Sequence, residues 1–360
     1  MHFLLPFPLL LFSLLQLPST FPARFLPNNP TILNPNDPSS LSFTPWDHFA
    51  KFANLEKGSH VNGICDLKRY FHRFGYLPAG NFSDEFDADL ESAIRNYQQN
   101  LGLPLTGKLD SGTINLIMAP RCGMGDFHSR AAAVNTTRHF HETRRYAYFN
   151  GRPRWLKSSP MTLTYGFSPD HMINYISKDD IRSVFSRAFS RWSEVIPLNF
   201  TEIEDHKKAD IRIGFYDGDH GDGEPFDGVL GVLAHAFSPE NGRLHLDASE
   251  IWAVDFRNED SKVAIDLESV ATHEIGHVLG LAHSSVSDSI MYPSLKPRSK
   301  KVDLRVDDVE GVQALYGSNP NFNYGSLFEA DQETFNSASG FGLSSWWLWA
   351  LVLITLGQII

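Results

Sequence analysis

Residues 273–283 read His-Glu-Ile-Gly-His-Val-Leu-Gly-Leu-Ala-His, and no other stretch of the chain limits its fold so strictly. On a helix His273 and His277 lie four residues apart, so both rings leave one face and can grip one metal ion. Glu274 stands beside them, placed for a general base rather than a ligand. Gly280 can take a left-handed conformation, end the helix and turn the chain so that His283 returns as a third ligand. Zinc favours four tetrahedral ligands. Three protein nitrogens leave one position for water, which marks a catalytic rather than a structural site.

Ser-Ile-Met-Tyr-Pro follows at 289–293. The extended motif with a downstream methionine is the metzincin signature, and Ser284, directly after the third histidine, resembles the matrixin branch, the matrix metalloproteinases. That resemblance implies an α+β catalytic domain, a twisted mixed five-stranded sheet with three helices, and Met291 as an apolar floor beneath the zinc. It implies a zinc endopeptidase hydrolysing peptide bonds of extracellular or cell-surface proteins through a zinc-bound water. Glu274 would take the water proton and deliver it to the leaving amine. The strand around Val232–Ala236 would pair with an extended substrate, and the primary pocket would lie between the zinc helix and Tyr292-Pro293-Ser294.

A second constellation fills residues 217–250. By the same resemblance His220, Asp222, His235 and His245 hold a structural zinc, a closed set of three nitrogens and one carboxylate. An adjacent calcium takes Asp227, Asp247 and Glu250 with the carbonyls of Gly228, Leu230 and Val232, an oxygen cage that suits a hard cation. A second calcium site of the family uses an aspartate two residues before the last zinc histidine. Arg243 stands there instead, so that site is expected to be lost or remodelled, although Asp210 matches its remaining carboxylate.

Upstream, Leu67, Tyr70, Phe71 and Phe74 recur at helical spacing, as do Phe86, Leu90, Ile94 and Tyr97, before a third short helix from about Ser111. This three-helix unit resembles the matrixin propeptide and the small peptidoglycan-binding domain, the likeness resting on Asn-Leu-Gly-Leu-Pro-Leu-Thr-Gly-Lys-Leu-Asp at 100–110. Pro120-Arg-Cys-Gly-Met-Gly-Asp126 then matches the cysteine switch of matrixin propeptides. A thiolate is a strong soft zinc ligand, so Cys122 can fill the fourth position and displace water until the propeptide is removed. Arg121 and Asp126 flank the thiol and can pair across the loop. Cys65 has no such context and reads as a structural thiol. Two cysteines make no disulfide scaffold.

The termini read as targeting segments. Residues 4–17 are an apolar run followed by small residues, a signal peptide over 1–23. Small residues at 336–339, a spacer and an apolar end from Trp346 make residues 337–360 a glycosylphosphatidylinositol attachment signal, with Asn336 or Ser337 as the attachment residue. A transmembrane anchor is the alternative, for which the tail is short. Between these lie a flexible leader (24–59), the three-helix prodomain with its switch (60–126), an activation hinge (127–148) containing the protease-sensitive pair Arg144-Arg145, the catalytic domain (149–317) and a stalk (318–336). No hemopexin-like domain follows, so the resemblance is to plant matrixins. In matrixins a carboxylate of the last helix receives the new amino terminus after activation, and Asp307 or Asp308 fits that role. Asn81, Asn135 and Asn199 are glycosylation sequons.

A formal net charge of −11 excludes nucleic acid as a partner, since phosphate binding wants a basic face. Expected partners are protein or peptide substrates, an activating protease and a membrane reached through the lipid anchor, with the chain itself monomeric. Two rival functions fit poorly. A wall-binding adhesin with an inert zinc domain has no need of Glu274, and a metzincin acting on something other than protein has little use for a thiol lock.

Overall fold

Alternating and helical apolar patterns become two packed units in the computed structural model, which describes residues 44–126, 146–158 and 160–325. The signal peptide, most of the leader, the sequon at Asn135, the Arg144-Arg145 pair and the attachment signal lie outside the described residues. Among the described residues no helix is long and apolar enough to cross a membrane.

The first unit holds helices α1 (Ile64–Arg73), α2 (Ala88–Asn100) and α3 (Ser111–Ile117). Asp87 caps α2 by accepting from Leu90 N at 2.9 Å, and Asp110 caps α3 by accepting from Thr113 N at 2.9 Å. All eight apolar residues that define the first two helical patterns are buried. The core is aromatic: Tyr70, Phe71, Tyr76 and Tyr97 meet edge to face. The expected unstructured leader is corrected over residues 44–59. A 3₁₀ turn at Asp47–Phe52 drops Trp46, Phe49 and Phe52 into this core. Their spacing of three, which suits such a turn, was the available signal, masked by the proline- and serine-rich stretch before it.

The second unit is a twisted sheet under helices. Its strands are β2 (Met161–Phe167), β3 (Leu198–Glu202), β4 (Ile211–Tyr216), β5 (Ala234–Ala236) and β6 (Arg243–Asp247), after a short β1 (Ala147–Tyr148). The spatial order is β3-β2-β4-β6-β5, parallel except for β5, which runs antiparallel along β6 and forms an edge. Helix α4 (Lys178–Val195) starts where Ser177 Oγ accepts from Asp180 N at 3.1 Å, and its stripe from Ile181 to Trp192 is buried. Short strands β7 (Trp252–Ala253) and β8 (Ile265–Asp266) pair and lead into α5 (Leu267–Val278). Every residue of α5 is buried, and Trp192 of α4 donates to Thr272 O at 3.0 Å. Then β9 (Leu281–Ala282) pairs with β1, and α6 (Val306–Tyr316) closes the unit.

A candidate metal centre, a second histidine cluster and the segment that covers the cleft

Helix α5 carries His273, Glu274 and His277, and it ends at Leu279. Gly280 follows with φ +104°, and a Cβ there would meet Pro153 O at 2.3 Å, so only glycine makes this turn. The turn returns His283. His277 Nε2 and His283 Nε2 stand 3.2 Å apart, and one ligand atom each from Cys122, His273, His277 and His283 lie within 4.8 Å of one another. The outward-facing nitrogens are all engaged. Nδ1 of His273 donates to Ile290 O at 2.7 Å, Nδ1 of His277 to Leu281 O at 2.8 Å and Nδ1 of His283 to Asp126 Oδ1 at 2.7 Å. Each Nε2 is thereby left as a lone pair facing the centre, the tautomer a metal needs.

These residues fit a zinc ion on several independent grounds. Burial holds His273 well below the ordinary histidine range and His283 down at about 3, so both rings are neutral ligands. His273 Nε2 is buried with no hydrogen-bond partner, as are both carboxylate oxygens of Glu274. Such orphans are costly unless an ion or its water answers them. Burial lifts the Glu274 carboxyl to about 8, and a dication beside it acts in the opposite sense.

Met291 lies against α5 at Gly276, between His273 and His277 in sequence, and is almost fully buried. A Cβ on Gly276 would come within 2.2 Å of its Sδ, which is why the helix carries glycine between the two histidines. The methionine turn is braced from α6. Buried Asp308 accepts from Ile290 N at 2.9 Å, Met291 N at 3.0 Å and Arg305 N at 2.8 Å, and from Ser289 Oγ. Nothing in the local sequence announced this role. Asp307 instead accepts from Ser284 Oγ at 2.6 Å.

The segment 120–123 lies in the cleft like an added strand. Arg121 N donates to Gly231 O at 3.0 Å, Leu233 N to Arg121 O at 2.9 Å and Gly123 N to Ala234 O at 2.8 Å, along the β5 edge. On its other side Cys122 N donates to Pro293 O at 2.8 Å and Leu295 N to Pro120 O at 3.2 Å. Cys122 Sγ ends 3.4 Å from His277 Nε2. Arg121 and Asp126 do form a buried ion pair, and Tyr76 OH donates to Asp126 Oδ2 at 2.7 Å. A narrow cleft opens beside the cluster, lined by Leu233, Ser269, Val270, Ile290, Tyr292 and Lys301 among others.

Taken with the sequence comparisons, this geometry decides the family. Residues 154–317 match the matrixin family and residues 60–117 a family described as a peptidoglycan binding domain. The chain is 52% identical to metalloendoproteinase 1-MMP of Arabidopsis thaliana over 89% of its own length and 87% of that protein's. It is 58% identical to metalloendoproteinase 4-MMP of the same plant (77% and 79% covered), and 44% identical to metalloendoproteinase 1 of Glycine max (76% and 89%). The chain belongs to the matrixins. It is a matrixin metalloendopeptidase with a peptidoglycan-binding-like N-terminal domain, the α+β architecture and fold class expected from its sequence.

The second histidine cluster of this matrixin gathers around one oxygen. Asp222 Oδ2 lies 2.9 Å from His220 Nε2, 2.9 Å from His235 Nε2 and 2.8 Å from His245 Nδ1. Three imidazole nitrogens converging on one carboxylate oxygen make a donor set that fits a closed zinc site. The four atoms meet the same 4.8 Å limit as the first cluster.

Nearby, Glu250 Oε1 accepts from Leu230 N at 2.7 Å while its Oε2 is buried without a partner. Burial raises Asp247 to about 6 and lifts Glu250 well above the carboxylate range, each helped by the neighbouring carboxylates. Asp227 Oδ1 accepts from Val232 N at 2.7 Å. Asp210 is satisfied by Lys157 Nζ at 2.5 Å and Thr164 N at 2.7 Å, while Arg243 stacks on Phe237, 4.0 Å from the ring centre. Asn81 and Asn199 are exposed.

Proposed function

We propose that this matrixin is made as a latent zymogen, silenced by Cys122, and that after prodomain removal it cleaves extracellular or cell-surface proteins. The observation that carries the reading is the Cys122 sulfur within ligand range of all three histidines while its backbone fills the substrate edge. When bound, zinc supplies a Lewis acid and a nucleophile at neutral pH. His273, His277 and His283 would hold it. Removal of residues 120–123 frees Leu233 N and Ala234 O to pair with a substrate backbone. Glu274 takes a proton from the attacking water at a carboxylate oxygen and returns it to the leaving nitrogen. Val270, Ile290 and Leu295 offer an apolar wall to the side chain that follows the cut.

Replacing Cys122 with serine tests the lock, because a neutral hydroxyl is a poor zinc ligand. The full-length C122S chain should hydrolyse a quenched fluorogenic peptide well above the rate of the intact parent, with its hinge intact by mass spectrometry. An intact C122S chain as silent as the parent would reject the thiol as the lock, and a parent chain as active before prodomain removal as after it would sink the zymogen reading.

The rest of the metal assignment belongs to the same proposal: a second, structural zinc on His220, Asp222, His235 and His245, and one calcium on Asp227, Asp247, Glu250 and the carbonyls of Gly228, Leu230 and Val232. Elemental analysis should find two zinc ions per chain. His235→Ala should leave one and lower the unfolding temperature, because a closed structural site contributes folding free energy directly. Two zinc ions retained in H235A would overturn the second site. The second calcium site is proposed lost, with Lys157 in the place of a cation beside Asp210. Secretion, glycosylation at Asn81, Asn135 and Asn199, lipid anchoring at Asn336 or Ser337 and a monomeric state complete the reading. Of the two candidates for the new amino terminus, Asp307 is favoured, because Asp308 is consumed by the methionine turn.

A further inference from the structure

The three ligand histidines are not supported alike. His273 and His277 donate Nδ1–H to carbonyls of Ile290 and Leu281, which belong to the catalytic unit and stay with it. His283 donates to a carboxylate, Asp126, which belongs to the prodomain and leaves with it. Asp126 is not a chance neighbour. Its side chain is 1% exposed, and three groups fix it: the Arg121 guanidinium, Tyr76 OH at 2.7 Å and the His283 ring. Arg121 itself lies over Phe74, its Cζ 3.8 Å from the ring centre.

A carboxylate behind a ligand histidine makes the ring a stronger donor and fixes its orientation, and removal of such a partner commonly costs about 10–100-fold in metal affinity. We infer that Asp126 is a positioning residue for the third zinc ligand, so that the prodomain contributes two things to the metal: the thiol of Cys122 and the negative charge behind His283. The Arg121–Asp126 pair then has a second task besides stiffening the loop. It aims the carboxylate. Prodomain release weakens one ligand at the moment it opens the fourth position, and the zymogen holds zinc more tightly than thiol ligation alone accounts for. This inference rests on the latent-zymogen reading above.

The test uses the full chain in a Glu274→Ala background, which prevents self-cleavage, and follows zinc release to an excess of chromogenic chelator. Asp126→Asn and Arg121→Gln both break the ion pair, but only Asp126→Asn removes the charge behind His283. The expected result is release about 10–100-fold faster in D126N, with R121Q close to the parent. Equal acceleration in both variants would assign the effect to the ion pair and overturn the proposal, as would no acceleration in either. Cys122→Ser in the same background separates the two readings. Faster release in C122S together with parent-like release in D126N keeps the thiol lock and rejects the role of Asp126. No change in C122S rejects the thiol lock itself. Should D126N fail to fold, the parent chain still decides. A charge-assisted bond is shorter and stronger than one to a carbonyl, so the Nδ1 proton of His283 should resonate downfield of those of His273 and His277. Three indistinguishable protons would overturn the proposal.

Discussion

Glu274→Gln lowers kcat/KM of the activated enzyme by about 10²–10⁴-fold, the range a positioned general base contributes, while zinc content and unfolding temperature stay at the parent values. The expectation follows from geometry. The carboxylate is fully buried at the head of the cleft, with the Cys122 thiol as its polar neighbour there. Glutamine keeps the shape and the neutral charge that burial already favours, so the fold has no reason to object. What is lost is the capacity to accept a proton. Peptide hydrolysis by the variant freed of its prodomain, measured beside metal content, checks the prediction; an E274Q enzyme within tenfold of the parent would mean that another group moves the proton.

Asp308→Ala should cost about 3–5 kcal/mol of stability, because it strands several buried donors that each cost about 1–3 kcal/mol when unsatisfied. Those donors are Ile290 N, Met291 N, Arg305 N and Ser289 Oγ. The damage reaches the metal, since the same turn supplies Ile290 O to His273. Urea unfolding of the full-length D308A chain, with D307A as comparison, reads the effect. Asp307 holds Ser284 from a partly buried position, so D307A should lose roughly 1 kcal/mol. Equal losses in the two variants would remove Asp308 from its bracing role.

How much of this was legible depended on whether the chemistry lay along the chain or across it. The spacing of His273, His277, Gly280 and His283 encodes the first cluster because a helix and one glycine turn suffice to assemble it. The recurrence of Leu67, Tyr70 and Phe71, and of Leu90, Ile94 and Tyr97, likewise marks the buried faces of α1 and α2. Trp46, Phe49 and Phe52 were lost to a composition argument, since a short 3₁₀ turn carries too few residues to stand out against a polar leader. Asp126 was legible as a partner for Arg121, five residues away, and not as a partner for His283, which is 157 residues away. No local pattern encodes a contact that only docking creates. Asp308 is a similar case, since two adjacent aspartates at a helix start look alike until the loop beneath them is seen.

The boundary between the two apolar cores does not follow the boundary between the two units. Phe226 and Val232, from the catalytic side, belong to the cluster built on Phe71, Tyr97 and Trp46, and Tyr292 packs against it. A cut within residues 127–145 would change the covalent chain and leave that shared cluster as it was. The immediate product of cleavage is then a two-piece complex held together by oily contact, whose separation depends on dilution and temperature. Breaking the bond and baring the cleft become separate events with separate rates, and the second is a matter of dissociation rather than of chemistry.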